Sequence, residues 1–341
     1  MNNINYSIII PHKNIPQLLQ RCLDSIPIRD DVQVIVVDDN SDTDKVNFDN
    51  FPKWKGKNYE FYLTKEGKGA GYARNIGLKH AKGKWLLFAD ADDYYNYCIN
   101  SILDEYTNNE YDVVYFDSSS QDCFLYTNAN RSTYTHQMIK LYEKDKEQGE
   151  FQLRYYLGVP WCKLIKHELI YSNNIRFDET PINNDTTFSY MIGIHAKTID
   201  VDKRALYCIT VRHSSTSYNL TDDKILASID VFARKHKNLQ EHGIDIFEGF
   251  IPYHMNKLLS QNRRDLYDKG IAILYKYGFD ETLLKKETWQ PPFFDEELND
   301  SNSFAESYFG HEMIESYKVK GLKYKIILQF LYITNKLKTI C

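Results

Sequence analysis

WLLFADADDYY, residues 85–95, is an apolar run that stops in three carboxylates, Asp90, Asp92 and Asp93, and the prediction of the fold begins from it. Residues 85–89 have the length and continuity of a strand buried on both faces, which is typical of a parallel sheet covered by helices. In an open α/β sheet, ligands bind beyond the carboxyl ends of the strands. The Asp-x-Asp pair is therefore predicted to hold a hard divalent cation that carries a phosphorylated ligand.

The same pattern extends outward from this stretch in both directions. Further apolar runs predict strands at 6–10, 32–39, 59–63 and 112–117, and the second of these also ends in acids, Asp38 and Asp39. Amphipathic patterns predict helices that begin at Pro16 and at Tyr72. Strands and helices that alternate at this spacing indicate βαβ units and a mostly parallel sheet.

A glycine-rich segment precedes the second helix. Gly67, Gly69 and Gly71 suggest a phosphate loop, but the segment matches neither the dinucleotide-binding fingerprint nor the Walker pattern, so a mobile loop that enters a helix is the expectation. Arg74 lies on the first turn of that helix. Two interpretations of this arginine stay open: it faces the crevice, or it pairs with a surface acid.

Composition excludes several classes of protein. A chain of 341 residues is long enough for a large core and for more than one domain, and a net charge of −5 with mixed signs does not indicate a nucleic-acid binder. The six cysteines show no spacing typical of zinc sites or disulfide frameworks, which fits a reducing cytosol. The N-terminus does not read as a secretion signal, and no segment reaches the ~18 apolar residues of a spanning helix.

The C-terminal part of the sequence is helical in pattern from 219 to about 285 and rich in proline and asparagine at 289–303, where no element is expected. Residues 318–341 contain six lysines and no acid around an apolar run. Such a segment is either an amphipathic helix that contacts an anionic membrane surface, or a terminal helix docked on the body with solvated lysines.

Two late segments contain polar residues beside predicted elements. Asp185 follows Asn183 and Asn184 directly before an apolar helix, where an aspartate is expected to serve as the N-cap. An alternating strand at 205–217 ends in Arg212 and His213. His213 is either a surface histidine or a metal ligand.

Taken together, these segments resemble the family 2 glycosyltransferases of the GT-A fold over about residues 5–217. The motifs that carry the resemblance follow the family's order and spacing. They are SIIIPHKN (7–14), CLDSI (22–26), VIVVDDNSD (34–42), GYARNIGLKHAKGKWLLFADADD (71–93), WCKLIKHELI (161–170), NNDTTF (183–188) and LYCITVRHSSTS (206–217). The sequence departs from the family pattern at Lys13, where an aromatic residue is usual, and at Asn184, where a glutamate often stands.

The resemblance implies a role for each matching residue. Asp39 would accept a hydrogen bond from the nucleotide base, Asp90 would lie near the ribose and the metal, and Asp92 would hold Mn²⁺ or Mg²⁺ at the diphosphate. Asp185 would be the catalytic base, and His213 an additional metal ligand. The remaining residues of the implied nucleotide-sugar site are Pro11, Asn14, Asp38, Gly69, Arg74, Ala91 and Arg212.

The leading hypothesis is an inverting, metal-dependent glycosyltransferase that moves a sugar from a nucleotide-diphosphate sugar, a UDP-sugar in particular, to a bacterial cell-surface glycan or a lipid-linked acceptor. The expected fold is α/β: a Rossmann-like GT-A domain at 1–217 and a mainly helical region at 218–341 for acceptor, oligomer or membrane-surface contacts. The expected location is the cytoplasm, at the inner face of the membrane. The alternatives are a non-catalytic sugar-nucleotide or glycan-binding subunit and a sugar nucleotidyltransferase; the latter would need a basic glycine-rich loop after the first strand, which PHKNIPQ does not provide.

Overall fold

The structure is a computed structural model that describes residues 4–212, 220–246, 249–280 and 284. The strands are β1 (Tyr6–His12), β2 (Val32–Asp39), β3 (Tyr59–Thr64), β4 (Trp85–Phe88), β5 (Tyr94–Tyr95), β6 (Val113–Asp122), β7 (Lys163–Lys166) and β8 (Ile199–Val211). The helices are α1 (Pro16–Asp24), α2 (Ala70–His80), α3 (Ile99–Tyr106), α4 (Thr133–Lys144), α5 (Lys146–Tyr155), α6 (His167–Ser172), α7 (Thr186–His195), α8 (Asp222–Glu241), α9 (Phe250–Ser260) and α10 (Arg264–Lys276), with a 3-10 turn at Phe48–Asn50.

The strands form one sheet in the order β3-β2-β1-β4-β7-β6-β8-β5. The first four in this order are mutually parallel, β7 is antiparallel to both of its neighbours, β6 and β8 are parallel, and β5 is antiparallel to β8. Six of the eight strands therefore run in one direction, which confirms the predicted mostly parallel sheet. Strands β5 and β7 were not expected, because two and four residues are too short to show a strand pattern.

Helices cover both faces of the sheet, and this explains the continuous apolar runs. In β1, Ile8 and Ile10 point into the core on one face, where α1 and α3 pack. Ile9 points into the core on the other face, which is covered by α2 and by α4 to α7. A strand buried on both sides has no polar position to alternate with, so every residue of β1 is buried.

Residues 133–155 form two helices, α4 and α5, that meet at Asp145. The side chain of Asp145 accepts a hydrogen bond from the Gln148 backbone N–H at 3.0 Å and so caps α5. An aspartate that competes for backbone donors favours a helix start over continuation, and the chain therefore breaks there.

The C-terminal helices α8 to α10 pack around a core of their own, built from residues such as Ile229, Met255 and Leu274. Arg234 on α8 joins this part to the sheet domain through two hydrogen bonds to the Asp178 carboxylate, at 2.9 and 2.7 Å. Among the described helices, none combines the length and hydrophobicity needed to cross a bilayer.

Three predictions fall on residues outside this description. They are the domain boundary at 217/218, the loop at 289–303 and the basic segment 318–341. The boundary and the basic segment stay predictions, and so does the assignment of the two domains.

Candidate active site

The carboxyl ends of the first parallel strands lie side by side at one edge of the sheet. Register places His12 of β1 beside Asp38 of β2, and Ile9 of β1 beside Phe88, the last residue of β4. Because parallel strands end on the same side, the acids that follow β2 and β4 are brought to this edge, although about fifty residues of chain separate them. This edge is the candidate active site.

The acidic loop, residues 90–93, is held from several sides. The Asp90 backbone N–H donates to the Tyr207 hydroxyl at 2.8 Å. The Asp92 carbonyl accepts from Arg21 Nη2 at 2.5 Å and from the Thr210 hydroxyl at 2.6 Å. These partners lie far away in sequence, so the position of the loop depends on α1 and β8.

The three acids of this loop have different surroundings. Asp93 is buried and accepts a hydrogen bond from the Thr210 backbone N–H at 2.7 Å, and burial, with the charges of Asp92 and Asp90, raises the pKa of its carboxyl well above the usual value. The side chains of Asp90 and Asp92 are partly exposed. Asp93 therefore supports the loop from within, while Asp90 and Asp92 face the crevice with Ala91 buried between them.

Asp92 accepts a hydrogen bond from Arg212 Nε at 2.9 Å. The structure thus brings together two residues of the predicted site that stand 120 positions apart. The third member of the predicted metal site, His213, lies outside the described residues.

Arg74 lies between the acidic loop and the segment that precedes α7. Its Nη2 donates to Asp90 Oδ1 at 2.5 Å and its Nη1 donates to Asn184 Oδ1 at 2.8 Å. The guanidinium is almost fully buried, and the acid with which Arg74 pairs is Asp90 of the predicted site. Asn184, which replaces the usual glutamate, serves as an acceptor for this arginine.

Gly71 makes this approach possible. A Cβ at Gly71 would lie 1.9 Å from the Asp178 carbonyl oxygen and 3.0 Å from Asn184 Cβ. Only a residue without a side chain lets the first turn of α2 come so close to residues 178–184. This glycine therefore serves close packing and not phosphate binding.

Asp185 occupies the N-cap position of α7, as predicted, but its side chain makes no capping hydrogen bond. Burial is the largest influence on this carboxyl and raises its pKa; Asp90 raises it further, whereas Arg74 and Lys163 lower it. The N-cap interpretation therefore does not account for the side chain. A carboxylate with a raised pKa and no hydrogen-bond donor from the helix has the properties of a general base.

The predicted base-binding end of the site lies at the end of β2. Asp39 Oδ2 accepts from the Gly69 backbone N–H at 2.9 Å and from Lys13 Nζ at 3.4 Å. Asp39 Oδ1 is buried and has no hydrogen-bond partner in the described part of the chain. A buried acceptor left unsatisfied is costly, so this atom fits a donor on a bound ligand.

Asp38, by contrast, serves the local structure. It accepts from the Ser41 hydroxyl at 2.6 Å and the Ser41 backbone N–H at 2.8 Å, and it lies 2.7 Å from His12 Nδ1. Burial alone would raise the pKa of Asp38. The hydrogen bonds from His12 and Ser41 outweigh burial and hold this pKa below its usual value. Asp38 shapes the turn beside the site.

The two other residues expected against the nucleotide base also lie at this end. The Asn14 side chain accepts from the Asp42 backbone N–H at 2.7 Å and so joins the loop after β1 to the loop after β2. Pro11 is buried within β1. Their contact with a nucleotide stays a prediction.

Asp90 and Asp92 supply as many carboxylates as a hard divalent cation uses when it also binds a phosphorylated ligand. The described residues contain no group of three or more His, Cys, Asp or Glu side chains able to enclose a metal. Mg²⁺ and Mn²⁺ that serve phosphoryl groups typically use one or two carboxylates and complete their shell with phosphate oxygens and water. Asp90 and Asp92, partly exposed at the crevice, would hold such a cation with the donor's diphosphate.

Several residues of this site were not found by sequence reasoning. Arg21, Thr210 and Tyr207 orient the acidic loop, but their partners are 71 to 118 positions away, and no local pattern marks them. Lys163 lies in a mostly apolar segment and was not singled out by sequence reasoning. Trp161 stacks on Tyr207 with ring centroids 5.5 Å apart.

Comparison with known proteins agrees with this geometry. The model for Glycosyl transferase family 2 matches residues 7–171. Glycosyltransferase GlyA of Streptococcus pneumoniae serotype 4 is 22% identical over 291 residues, which are 82% of this chain and 40% of GlyA. The uncharacterized glycosyltransferase EpsJ of Bacillus subtilis is 27% identical over 191 residues, 51% of each chain. The chain thus spans about half or less of the length of these curated relatives.

A solved structure shares the fold. The crystal structure of Staphylococcus aureus TarS 1-349 in complex with UDP-GlcNAc matches with a TM-score of 0.53 and 19% identity, covering 82% of this chain and 83% of that one. The chain is therefore similar in fold to the GT-A glycosyltransferases. Its residues 7–171 match the model for Glycosyl transferase family 2, and the curated relatives to which it is similar are glycosyltransferases.

Proposed function

We propose that the protein is an inverting, metal-dependent glycosyltransferase that transfers a sugar from a nucleotide-diphosphate sugar, a UDP-sugar in particular, to a hydroxyl of a bacterial cell-surface glycan or lipid-linked acceptor. The observation that carries the proposal is the bridge formed by Arg74. It joins Asp90, on the acidic loop, to Asn184, next to Asp185. This bridge supports the proposal because it brings the acidic loop next to the segment that holds the candidate base.

On the donor side, the chain's own residues orient the nucleotide. Asp39 offers the unsatisfied Oδ1 to a ring N–H of the base, and Gly69 and Lys13 fix its other oxygen. Asp90 and Asp92 would hold Mn²⁺ or Mg²⁺, which when bound would neutralise the charge that builds on the departing diphosphate. Arg212, bound to Asp92, adds a second positive charge beside that position.

On the acceptor side, Asp185 accepts the proton of the attacking hydroxyl. Attack from the face opposite the leaving diphosphate is a single displacement and inverts the anomeric carbon. General base catalysis of this kind is typically worth about 10² to 10⁴ in rate. The raised pKa of Asp185 favours this role, because a stronger base takes the proton more readily as long as it is ionised at the working pH.

The choice of donor and acceptor follows the relatives by analogy. TarS was crystallised with UDP-GlcNAc, and its name describes a poly(ribitol-phosphate) β-N-acetylglucosaminyltransferase, 26% identical to this chain over 233 residues. By the same analogy, the donor of the present chain is a nucleotide sugar and its acceptor is a bacterial surface polymer. The location at the inner membrane face, with contact through residues 318–341, and a homo-oligomeric assembly complete the proposal.

The proposal is tested by screening nucleotide sugars for thermal stabilisation with and without Mn²⁺. A ligand that binds only the folded state raises the unfolding free energy, by about 2.7 kcal/mol at one hundred times Kd. We expect a metal-dependent rise in Tm with one or more UDP-sugars, and turnover with the same donor when an acceptor is supplied. If no UDP-sugar raised the Tm in the presence of Mn²⁺, the proposal that the donor is a UDP-sugar would be wrong. A shift without turnover under any acceptor would support the binding-subunit alternative.

A further inference from the structure

The segment that carries Asp185 is bound on both sides of that residue by a second aspartate. This segment, residues 183–187, is called the base turn below. The Asp178 backbone N–H donates to the Asn184 carbonyl at 2.9 Å, and the Asp178 carboxylate accepts from the Thr187 hydroxyl at 2.6 Å. Asp178 therefore holds the residue directly before Asp185 and the second residue after it.

Arg234 on α8 in turn holds Asp178. Its Nη1 and Nη2 donate to the two carboxylate oxygens at 2.9 and 2.7 Å. A guanidinium that binds both oxygens fixes the orientation of a carboxylate as well as its position. Because Oδ2 of Asp178 also accepts from Thr187, the orientation set by Arg234 determines where the first turn of α7 is bound.

This ion pair is not needed to dock α7 on α8. Tyr190 of α7 packs in an apolar cluster with Leu239 and Ile246, and its hydroxyl accepts from Asn238 Nδ2 at 2.8 Å. These contacts already join the two helices.

The Arg234–Asp178 pair is also an inefficient source of stability. The two side chains are only 29% and 14% exposed, and Arg234 Nε is buried with no hydrogen-bond partner in the described part of the chain. A partly buried ion pair gives up hydration that its attraction only partly returns. Its bidentate geometry, by contrast, is specific. The pair therefore fits a role in geometry better than a role in stability.

The base turn thus lies between two arginines from different parts of the chain. Arg74 on α2 binds the Asn184 side chain, and Arg234 on α8 acts through Asp178 on the Asn184 backbone and on Thr187. A base that takes a proton from an attacking hydroxyl must be held in a narrow range of positions, and both sides of the base turn are held.

We propose that Arg234 is a positioning residue for the catalytic base: through Asp178 it fixes the base turn, so that the Asp185 carboxylate meets the acceptor hydroxyl. The inference rests on the proposed function and deepens it. It makes the helical C-terminal part necessary for sugar transfer, although the family match ends at residue 171.

The test compares Arg234→Lys and Arg234→Met with the wild-type full-length chain. Lysine keeps the charge but cannot form two parallel hydrogen bonds to a carboxylate. We expect kcat to fall by about tenfold in both variants, because a displaced base meets the acceptor hydroxyl in poorer geometry. KM for the donor and the thermal shift with the UDP-sugar and Mn²⁺ should not change, since Arg21, Thr210 and Tyr207 hold the acidic loop.

Arg263→Met is the matched control. Arg263 also binds an aspartate through both Nη atoms, at 3.1 and 2.7 Å from the Asp222 carboxylate oxygens, and so joins the start of α8 to the start of α10. This variant should keep the wild-type kcat and KM. A fall in kcat like that of Arg234→Met would mean that any loosening of the helical part slows transfer, and it would overturn the inference.

Thr187→Val tests the last contact without changing α8. Valine keeps the shape of the side chain but has no hydroxyl to donate to Asp178. We expect a fall in kcat of similar size, which Thr187→Ser should reverse by restoring the hydroxyl. The double variant of Thr187→Val with Arg234→Met should be no slower than Arg234→Met alone, because both changes act through the Asp178 carboxylate.

Two results would overturn the inference: a wild-type kcat in Thr187→Val, or donor binding in Arg234→Lys that weakens as much as kcat falls. If Arg234→Met does not fold, Arg234→Lys and the Thr187 variants give the same decision. Failure of the proposed function would look different, because the wild-type protein itself would transfer no sugar.

Discussion

The acidic loop and the first turn of α7 each present carboxylates, and the two sites differ in the hydrogen bonds that hold those carboxylates. The loop is bound by Arg21, Thr210 and Tyr207, and the Asp92 side chain is bound by Arg212. The Asp185 side chain makes no capping bond, and burial raises the pKa of its carboxyl. A carboxylate that holds a ligand benefits from fixed geometry. One that takes a proton needs an available lone pair and a raised pKa.

The largest expected effect is that of Asp185→Asn. Asparagine keeps the shape of the side chain but cannot accept the proton, so we expect kcat to fall by about 10² to 10⁴ with Tm and donor binding unchanged. Steady-state transfer rates and the thermal shift with the UDP-sugar measure the two properties separately. Full activity in this variant would show that Asp185 is not the catalytic base.

Asp92→Ala is expected to act on the other site. Loss of the carboxylate removes the proposed metal ligand and the hydrogen bond between Asp92 and Arg212, so donor binding should lose most of its dependence on Mn²⁺. We expect at least a tenfold weaker Kd for the donor, about 1.4 kcal/mol, by titration calorimetry with and without the metal. The comparison of the two sites would fail if Asp92→Ala changed kcat alone and left metal-dependent binding intact.

Arg74→Met breaks the bridge between the two sites. The variant leaves Asp90 and Asn184 without a shared donor, which costs about 1 to 3 kcal/mol for a largely buried hydrogen-bonded pair. Because one residue serves both sides, we expect KM for the donor and kcat to worsen together, by roughly tenfold each. An effect on only one of the two constants would mean that Arg74 belongs to one site and does not couple them.

The smallest expected effect comes from Asp145→Ala, which provides the matched control for Asp185. Asp145 also precedes a helix, but its side chain does cap it, through Gln148. Loss of this cap should lower the unfolding free energy by about 1 kcal/mol and leave kcat and KM unchanged. Denaturant unfolding and transfer assays on both variants would show one aspartate acting on stability and the other on rate. If Asp185→Ala lost the same amount of stability, Asp185 would have to be interpreted as an N-cap.

Much of the sheet could be predicted because its signals are local. Strands β1 to β4 are apolar runs of ordinary length, and the acids at their ends need only the rule that parallel strands end together. Strands β5 and β7, the end of β6 and the start of β8 depend on partners elsewhere in the chain, so no window of sequence contains them. The predicted N-cap shows the same limit. Position 185 was assigned correctly, but whether the side chain caps the helix is decided by its surroundings.

Residue type and spacing were enough to predict the fold class, the resemblance to family 2 glycosyltransferases and the order of the acids from Asp39 through Asp92 to Asp185. Long-range contacts were needed to find that Arg74 joins two of these regions, that Gly71 allows α2 to approach, and that Lys163 is buried. The physical reason is that residue type and spacing set what a segment can form and bind. The electrostatic environment of a carboxyl, by contrast, is a sum over groups that only folding brings within a few ångströms.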